Sequence, residues 1–208
     1  MTTGSDLLAL SPVMPVVVID DADDAVPTAR ALLAGGIGVI ELTLRTAAAL
    51  AAIERVATEV PDIVIGAGTV TSPGQAKQAA DAGSKFLVTP GCTDAVLDAC
   101  FETGLPFLPG ASTVSEAMRL AERGLSALKF FPAEASGGVA YLKSIAGPLP
   151  GLTFCPTGGI TVDSAPSYLA LPNVGCIGGS WLTPKSALTA HDFTAVETLA
   201  AEAAKLRL

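Results

Sequence analysis

Residues 39–70 read VIELTLRTAAALAAIERVATEVPDIVIGAGTV. An apolar, β-branched run opens the segment, an Ala-rich stretch of helical period fills it, and a second β-branched run closes it. Neither run alternates cleanly with polar residues, which is the pattern of parallel strands buried on both faces. The segment is therefore a β-α-β unit of a parallel sheet.

The same alternation recurs outward in both directions. Strands are expected at residues 14–19, 39–44, 63–70, 86–89, 106–109, 127–131, 153–156 and 174–178. Helices are expected between them at 25–34, 46–59, 73–82, 94–102, 114–122, 139–146 and 164–169. Gly35, Gly83, Gly104 and Gly124 follow helices, where a left-handed residue is favoured. Thr46, Thr93 and Asp163 are expected caps. Further helices are expected at 6–10 and 192–206.

Eight strands at near-regular spacing point to a (β/α)₈ TIM barrel with an extra N-terminal and an extra C-terminal helix. An open dinucleotide-binding sheet would carry Gly-x-Gly-x-x-Gly after its first strand, and none is there. No linker or shift of composition divides residues 1–208, so a single domain is expected.

Composition narrows the function. Hydrophobic residues make up 50% of the 208 and charged residues only 15%, which suits a large interior or an oligomer. The net charge of −8 disfavours nucleic-acid and anionic-membrane partners. The early apolar run, Leu7 to Ile19, is broken by Ser11, Pro12 and Pro15 and is shorter than the ~20 residues of a membrane span. A cytoplasmic protein without a secretory leader is expected. Cys92, Cys100, Cys155 and Cys176 form no Cys-x-x-Cys pair and are expected reduced. The single histidine, His191, stands away from every strand end, so no metal site is expected.

In a barrel, functional groups sit at the C-terminal ends of strands. The period of two puts Glu41, Thr43 and Arg45 on one face of the second strand, and Lys129 with Phe131 on one face of the sixth, leaving Leu128 and Phe130 facing the helices. An unpaired ammonium taken out of water costs several kcal/mol. Apolar surroundings also disfavour the cation and so release a neutral, nucleophilic amine. Lys129 is thus expected to be a covalent nucleophile rather than a lysine reaching out to solvent. Glu41 is expected to move protons beside it rather than merely pair with Arg45. Arg45 offers a planar fork for a carboxylate or phosphate. The glycines at 158–159 and 178–179, with Ser180, lie where barrels bind phosphate through backbone N–H groups. The residues alone also leave open a phosphate-binding isomerase or synthase in which Lys129 is an ion-pair partner, and a non-catalytic scaffold.

Glu41-Leu-Thr-Leu-Arg45-Thr46, Gly66-Ala-Gly-Thr69-Val70, Lys129-Phe-Phe-Pro-Ala-Glu134, Phe154-Cys-Pro-Thr-Gly-Gly-Ile160 and Gly178-Gly-Ser-Trp181 resemble the 2-keto-3-deoxy-6-phosphogluconate (KDPG) and 4-hydroxy-2-oxoglutarate aldolase family. The likeness covers residues 12–181 with every motif in order. It implies a class I aldolase of the Entner-Doudoroff pathway that needs no cofactor and forms an imine on Lys129. KDPG would be cleaved to pyruvate and D-glyceraldehyde 3-phosphate. 4-Hydroxy-2-oxoglutarate would be a second substrate, and the galactonate epimer is the alternative. The resemblance further assigns general acid-base work to Glu41, the substrate carboxylate to Arg45 and Thr69, and the pocket walls to Pro90 and Phe131. Gly158, Gly159, Gly179 and Ser180 would bind the phosphate, and the assembly would be a homotrimer.

Overall fold

The computed structural model describes residues 3–206. Among these residues nine strand segments alternate with helices: β1 (Val13–Val17), β2 (Val39–Thr43), β3 (Val64–Gly68), β4 (Phe86–Val88), β5 (Phe107–Leu108), β6 (Gly110–Ala111), β7 (Ala127–Phe130), β8 (Thr153–Pro156) and β9 (Ile177–Gly179). The α-helices are α1 (Gly4–Leu8), α2 (Ala25–Ala34), α3 (Ala49–Glu59), α4 (Pro73–Asp81), α5 (Asp94–Glu102), α6 (Val114–Glu122), α7 (Gly138–Ile145), α8 (Ala165–Leu169), α9 (Lys185–Thr189) and α10 (Phe193–Ala203).

Every ladder is parallel. The strands form a curled six-stranded sheet, β5-β4-β3-β2-β1-β9, and a three-stranded sheet, β6-β7-β8. The expected single eight-stranded ladder is therefore interrupted in two places. One is Pro109, which separates β5 from β6: proline has no N–H to give a ladder. Gly110 N–H turns instead to Thr89 Oγ1 at 3.0 Å. The other lies between β8 and β9, which meet through isolated bridges, Phe154 with Val174 and Thr157 with Gly178. Gly175, next to the first bridge, has no room for a side chain, since a Cβ there would lie 2.7 Å from Leu8 Cβ.

Alternation along the strands sorts side chains into two layers. Ile40, Leu42, Leu128 and Phe130 point to the helices and are buried there. Phe130 stacks on Tyr141 of α7, with centroids 5.3 Å apart and ring planes 3° from parallel. Burying such a ring contributes roughly 1.5–3 kcal/mol, and Phe130→Ala would cost about 3–5 kcal/mol. The opposite face, with Met14, Phe86 and Leu108, fills the interior.

Both extra helices are present. α1 lies across the N-terminal ends of β5 and β7, where a Cβ on Gly4 would come within 3.0 Å of Ala127 Cβ. α10 packs on α2 over Gly35, whose added Cβ would sit 2.5 Å from Ala200 Cβ. Gly35 thus serves close packing, and the left-handed residue after α2 is Gly36, with φ of 88°. Gly83, Gly104 and Gly124 do adopt positive φ.

Of the expected caps, Thr93 accepts from Val96 N–H. Thr46 does not cap: α3 begins after Ala48, and the Thr46 hydroxyl donates to Ile19 C=O at 2.5 Å. Asp163 is displaced by Ser164, whose hydroxyl accepts from Thr161 N–H in the preceding turn. Thr3, Ser72, Thr113 and Asp192 are caps that the sequence reading passed over.

Candidate active site

The two sheets each deliver one ionisable group to the interior. Register aligns Glu41 on β2 with Val16 and Gly66, and Lys129 on β7 with Gly110 and Cys155. Glu41 needs space that a normal strand neighbour would fill. Gly68 leaves that space, for a Cβ there would lie 2.0 Å from Glu41 Oε1. Lys129 Nζ donates to Glu41 Oε1 across 3.2 Å, between residues 88 positions apart. Their side chains are only 6% and 2% exposed.

Lys129 does not stand alone among apolar groups. It is paired, and its partner is the glutamate that the sequence placed on the same cavity. The alternative partner for Glu41, Arg45, is not engaged: among the described residues Arg45 enters no salt bridge, and it is exposed at the cavity mouth. Its guanidinium is free to take an anion.

The cavity above the pair has a volume near 360 Å³. Of the residues expected to act, Arg45, Thr69, Pro90, Lys129, Phe131, Gly158, Gly159 and Ser180 line it. Phe131 lays its ring 5.4 Å from Lys129 Nζ. Glu41 stands behind the lysine rather than on the wall. Gly179 is also off the wall, closed over by Trp181, whose ring would lie 2.3 Å from an added Cβ. Gly178, expected at the same phosphate turn, lines the cavity in its place, and it is joined by Val16, Thr157 and Ile160, to which the sequence assigned no role. Thr157 is buried, and Gly178 leaves it room, since a Cβ there would meet Thr157 Oγ1 at 2.1 Å.

Two backbone features shape the rim. Thr69, the residue just after β3, has φ of 60°. For a β-branched residue that conformation costs about 1–3 kcal/mol, a strain that clusters at ligand sites. Gly158 and Gly159 have φ of 105° and 82°, open to glycine without penalty. Neither of their N–H groups donates to a protein acceptor among the described residues, while Gly158 C=O accepts from Glu134 N–H at 3.1 Å. Glu134 fills the space under Gly159 and accepts a 2.6 Å hydrogen bond from buried Tyr168. Burial first, then that carboxylate, pushes the Tyr168 phenol up, so it remains a donor and braces the loop.

Elsewhere, His191 lies at the surface with Nδ1 2.8 Å from Asp24 Oδ1. No cluster of three or more His, Cys, Asp or Glu that could hold a metal occurs among the described residues. None of the four cysteines is in a disulfide among the described residues, and burial pushes the Cys100 thiol up to about 12. No helix among the described residues is long and apolar enough to cross a membrane.

The family model for KDPG and KHG aldolase matches residues 5–199. The chain belongs to the KDPG and KHG aldolase family. A relative from this family, the 2-dehydro-3-deoxy-phosphogluconate aldolase of Dickeya dadantii, is 50% identical over 97% of this chain and 95% of its own. The KHG/KDPG aldolase of Escherichia coli K12 is 49% identical over the same shares. Among solved structures, the KDPG aldolase of Legionella pneumophila superposes with a TM-score of 0.96 at 44% identity, covering 98% of this chain and 99% of that one. That structure holds pyruvate captured at low pH as a covalent carbinolamine intermediate.

Proposed function

We propose that this chain is a class I aldolase that reversibly cleaves 2-dehydro-3-deoxy-6-phosphogluconate to pyruvate and D-glyceraldehyde 3-phosphate through an imine on Lys129. One observation carries the reading: a buried amine, backed by a carboxylate 3.2 Å away, lines a cavity rimmed by an unpaired arginine and by free glycine N–H groups. Relatives about half identical in sequence and named for this activity agree with it. The two curled sheets, joined by the Phe154–Val174 and Thr157–Gly178 bridges, act in this reading as one closed (β/α)₈ barrel and a single domain.

The proton needed at each step fits one carboxylate. Glu41 accepts a proton from the Lys129 ammonium, and the freed amine attacks the C2 carbonyl. Glu41 then returns that proton to the new alkoxide and carries a second one from the attached nitrogen to the resulting hydroxyl, which leaves as water, giving a protonated imine. As the C3–C4 bond breaks, its electrons flow to the iminium nitrogen and the C4 hydroxyl proton passes to Glu41. The aldehyde departs, Glu41 protonates the enamine at C3, and water releases pyruvate and the amine. Arg45 and Thr69 hold the substrate carboxylate, and Pro90 and Phe131 wall the pocket. Gly158, Gly159, Gly179 and Ser180 form the phosphate cradle, with Gly179 shaping the turn between its two lining neighbours.

4-Hydroxy-2-oxoglutarate, cleaved to pyruvate and glyoxylate, is a second substrate in this reading, since a relative named for both activities is 49% identical. Pyruvate release from that compound, from KDPG and from the galactonate epimer checks the assignment. KDPG is expected to give the highest kcat/KM, and Glu41→Gln to lower kcat by ~10²–10⁴-fold, the usual worth of a general acid-base. No release from any of the three would overturn the reading. The enzyme works in the cytoplasm as a homotrimer, which accords with the low charged fraction and the exposed Phe101, Met118 and Val162; sedimentation as a monomer would contradict the assembly.

A further inference from the structure

We propose that Lys185 is the residue that selects a phosphorylated substrate, with Asp20 holding it ready while the site is empty. The proposal rests on the aldolase reading above and names the charge that its phosphate cradle lacks. A second cavity, of about 420 Å³, adjoins the catalytic one and shares Val16 and Ser180 with it. Lys185, Asp20 and Asp24 stand on its rim.

The chain carries −8, so a phosphate dianion approaches against the overall field and needs a local cation. Among the residues lining the two cavities the cations are Lys129, Arg45 and Lys185. The first is committed to the imine and the second to the carboxylate at the other end of the substrate. Gly158 and Gly159 offer dipoles but no charge. Asp20 would repel the phosphate unless answered, and it is: Lys185 Nζ lies 3.3 Å from Asp20 Oδ2, while Asp24 Oδ1 contacts His191 Nδ1 at 2.8 Å.

The Lys185–Asp20 pair is suited to exchange. Its side chains are 85% and 66% exposed, so water screens it and it is weak. A dianion attracts the ammonium more strongly than one carboxylate does. The backbone of Lys185 is fixed just after Pro184 at the start of α9, while its flexible four-carbon stem lets the ammonium swing from Asp20 toward Ser180.

The test runs the reaction in the direction of condensation, with pyruvate and either D-glyceraldehyde 3-phosphate or D-glyceraldehyde, acceptors that differ only in the phosphate. Lys185→Ala is expected to lower the preference in kcat/KM for the phosphorylated acceptor by about five- to tenfold, mainly through KM, as for one exposed charge-assisted contact. Lys185→Arg should restore most of it, and Asp20→Asn should raise it above the wild type. Unchanged preference in Lys185→Ala, in protein that still gives the pyruvate–borohydride adduct, overturns the proposal. Absence of that adduct in the wild type defeats the aldolase reading instead.

Discussion

Lys77 and Asp81 on α4 pair at 2.7 Å with side chains 76% and 64% exposed, whereas Lys129 and Glu41 pair at 3.2 Å with 6% and 2% exposed. The shorter contact is the less consequential one. On α4 both partners keep their water, the pair runs lysine before acid, which is the weaker orientation on a helix, and its worth is about 0.3–0.5 kcal/mol. In the interior both groups have given up water, and loss of either partner strands a charge at a cost of about 3–5 kcal/mol. A well-packed apolar substitute for the whole buried pair would be at least as stable. Stability therefore does not explain why an amine and an acid sit there, and the proposed proton traffic at an imine would.

The largest expected effect breaks the buried pair from one side. Lys129→Ala should lower kcat/KM by at least ~10⁴-fold, the order seen when a covalent nucleophile is removed. Denaturant melts should also show a loss of about 3–5 kcal/mol, because Glu41 is left alone. Replacing both partners sharpens the comparison. Lys129→Met with Glu41→Leu is expected to recover most of that stability and none of the activity, so the two measurements part company. A smaller effect comes from moving the acid without touching its charge. In Gly68→Ala the new Cβ falls where Glu41 Oε1 now lies. That overpacking should cost about 1–3 kcal/mol, and displacement of the carboxylate should lower kcat by ~10²-fold. Smallest of all, Lys77→Ala should shift stability by less than about 0.5 kcal/mol and leave kcat unchanged.

Much of the scaffold was legible in the sequence because burial on both faces writes itself as unbroken apolar runs. α2, α5 and α6 begin and end at the expected residues. What escaped was decided by neighbours distant in the chain. The break at Pro109 follows from proline's missing donor, yet its result, two ladders instead of one, depends on which strands lie on either side. α9 has only five residues, too few for a helical period to show.

The site divides the same way. Alternation along each strand sent Glu41 and Lys129 inward, but which acid met which base was set by the fold, and Arg45 was the nearer partner in sequence. The signal for the pairing was present in Gly66 and Gly68, since glycine inside a strand marks a close approach. Here it marks the ring of Phe86 and the carboxylate of Glu41. Thr157 gave no such signal, because a threonine before two glycines looks like an ordinary turn.

The central claim is that the buried amine, and no other, forms the imine. Incubating the protein with pyruvate, reducing with borohydride and mapping the peptides by mass spectrometry tests it directly. One reduced pyruvyl group is expected, on Lys129, while Lys77, Lys85, Lys143, Lys185 and Lys205 stay unmodified. Label on an exposed lysine, or equal labelling of Lys129→Ala, would contradict it.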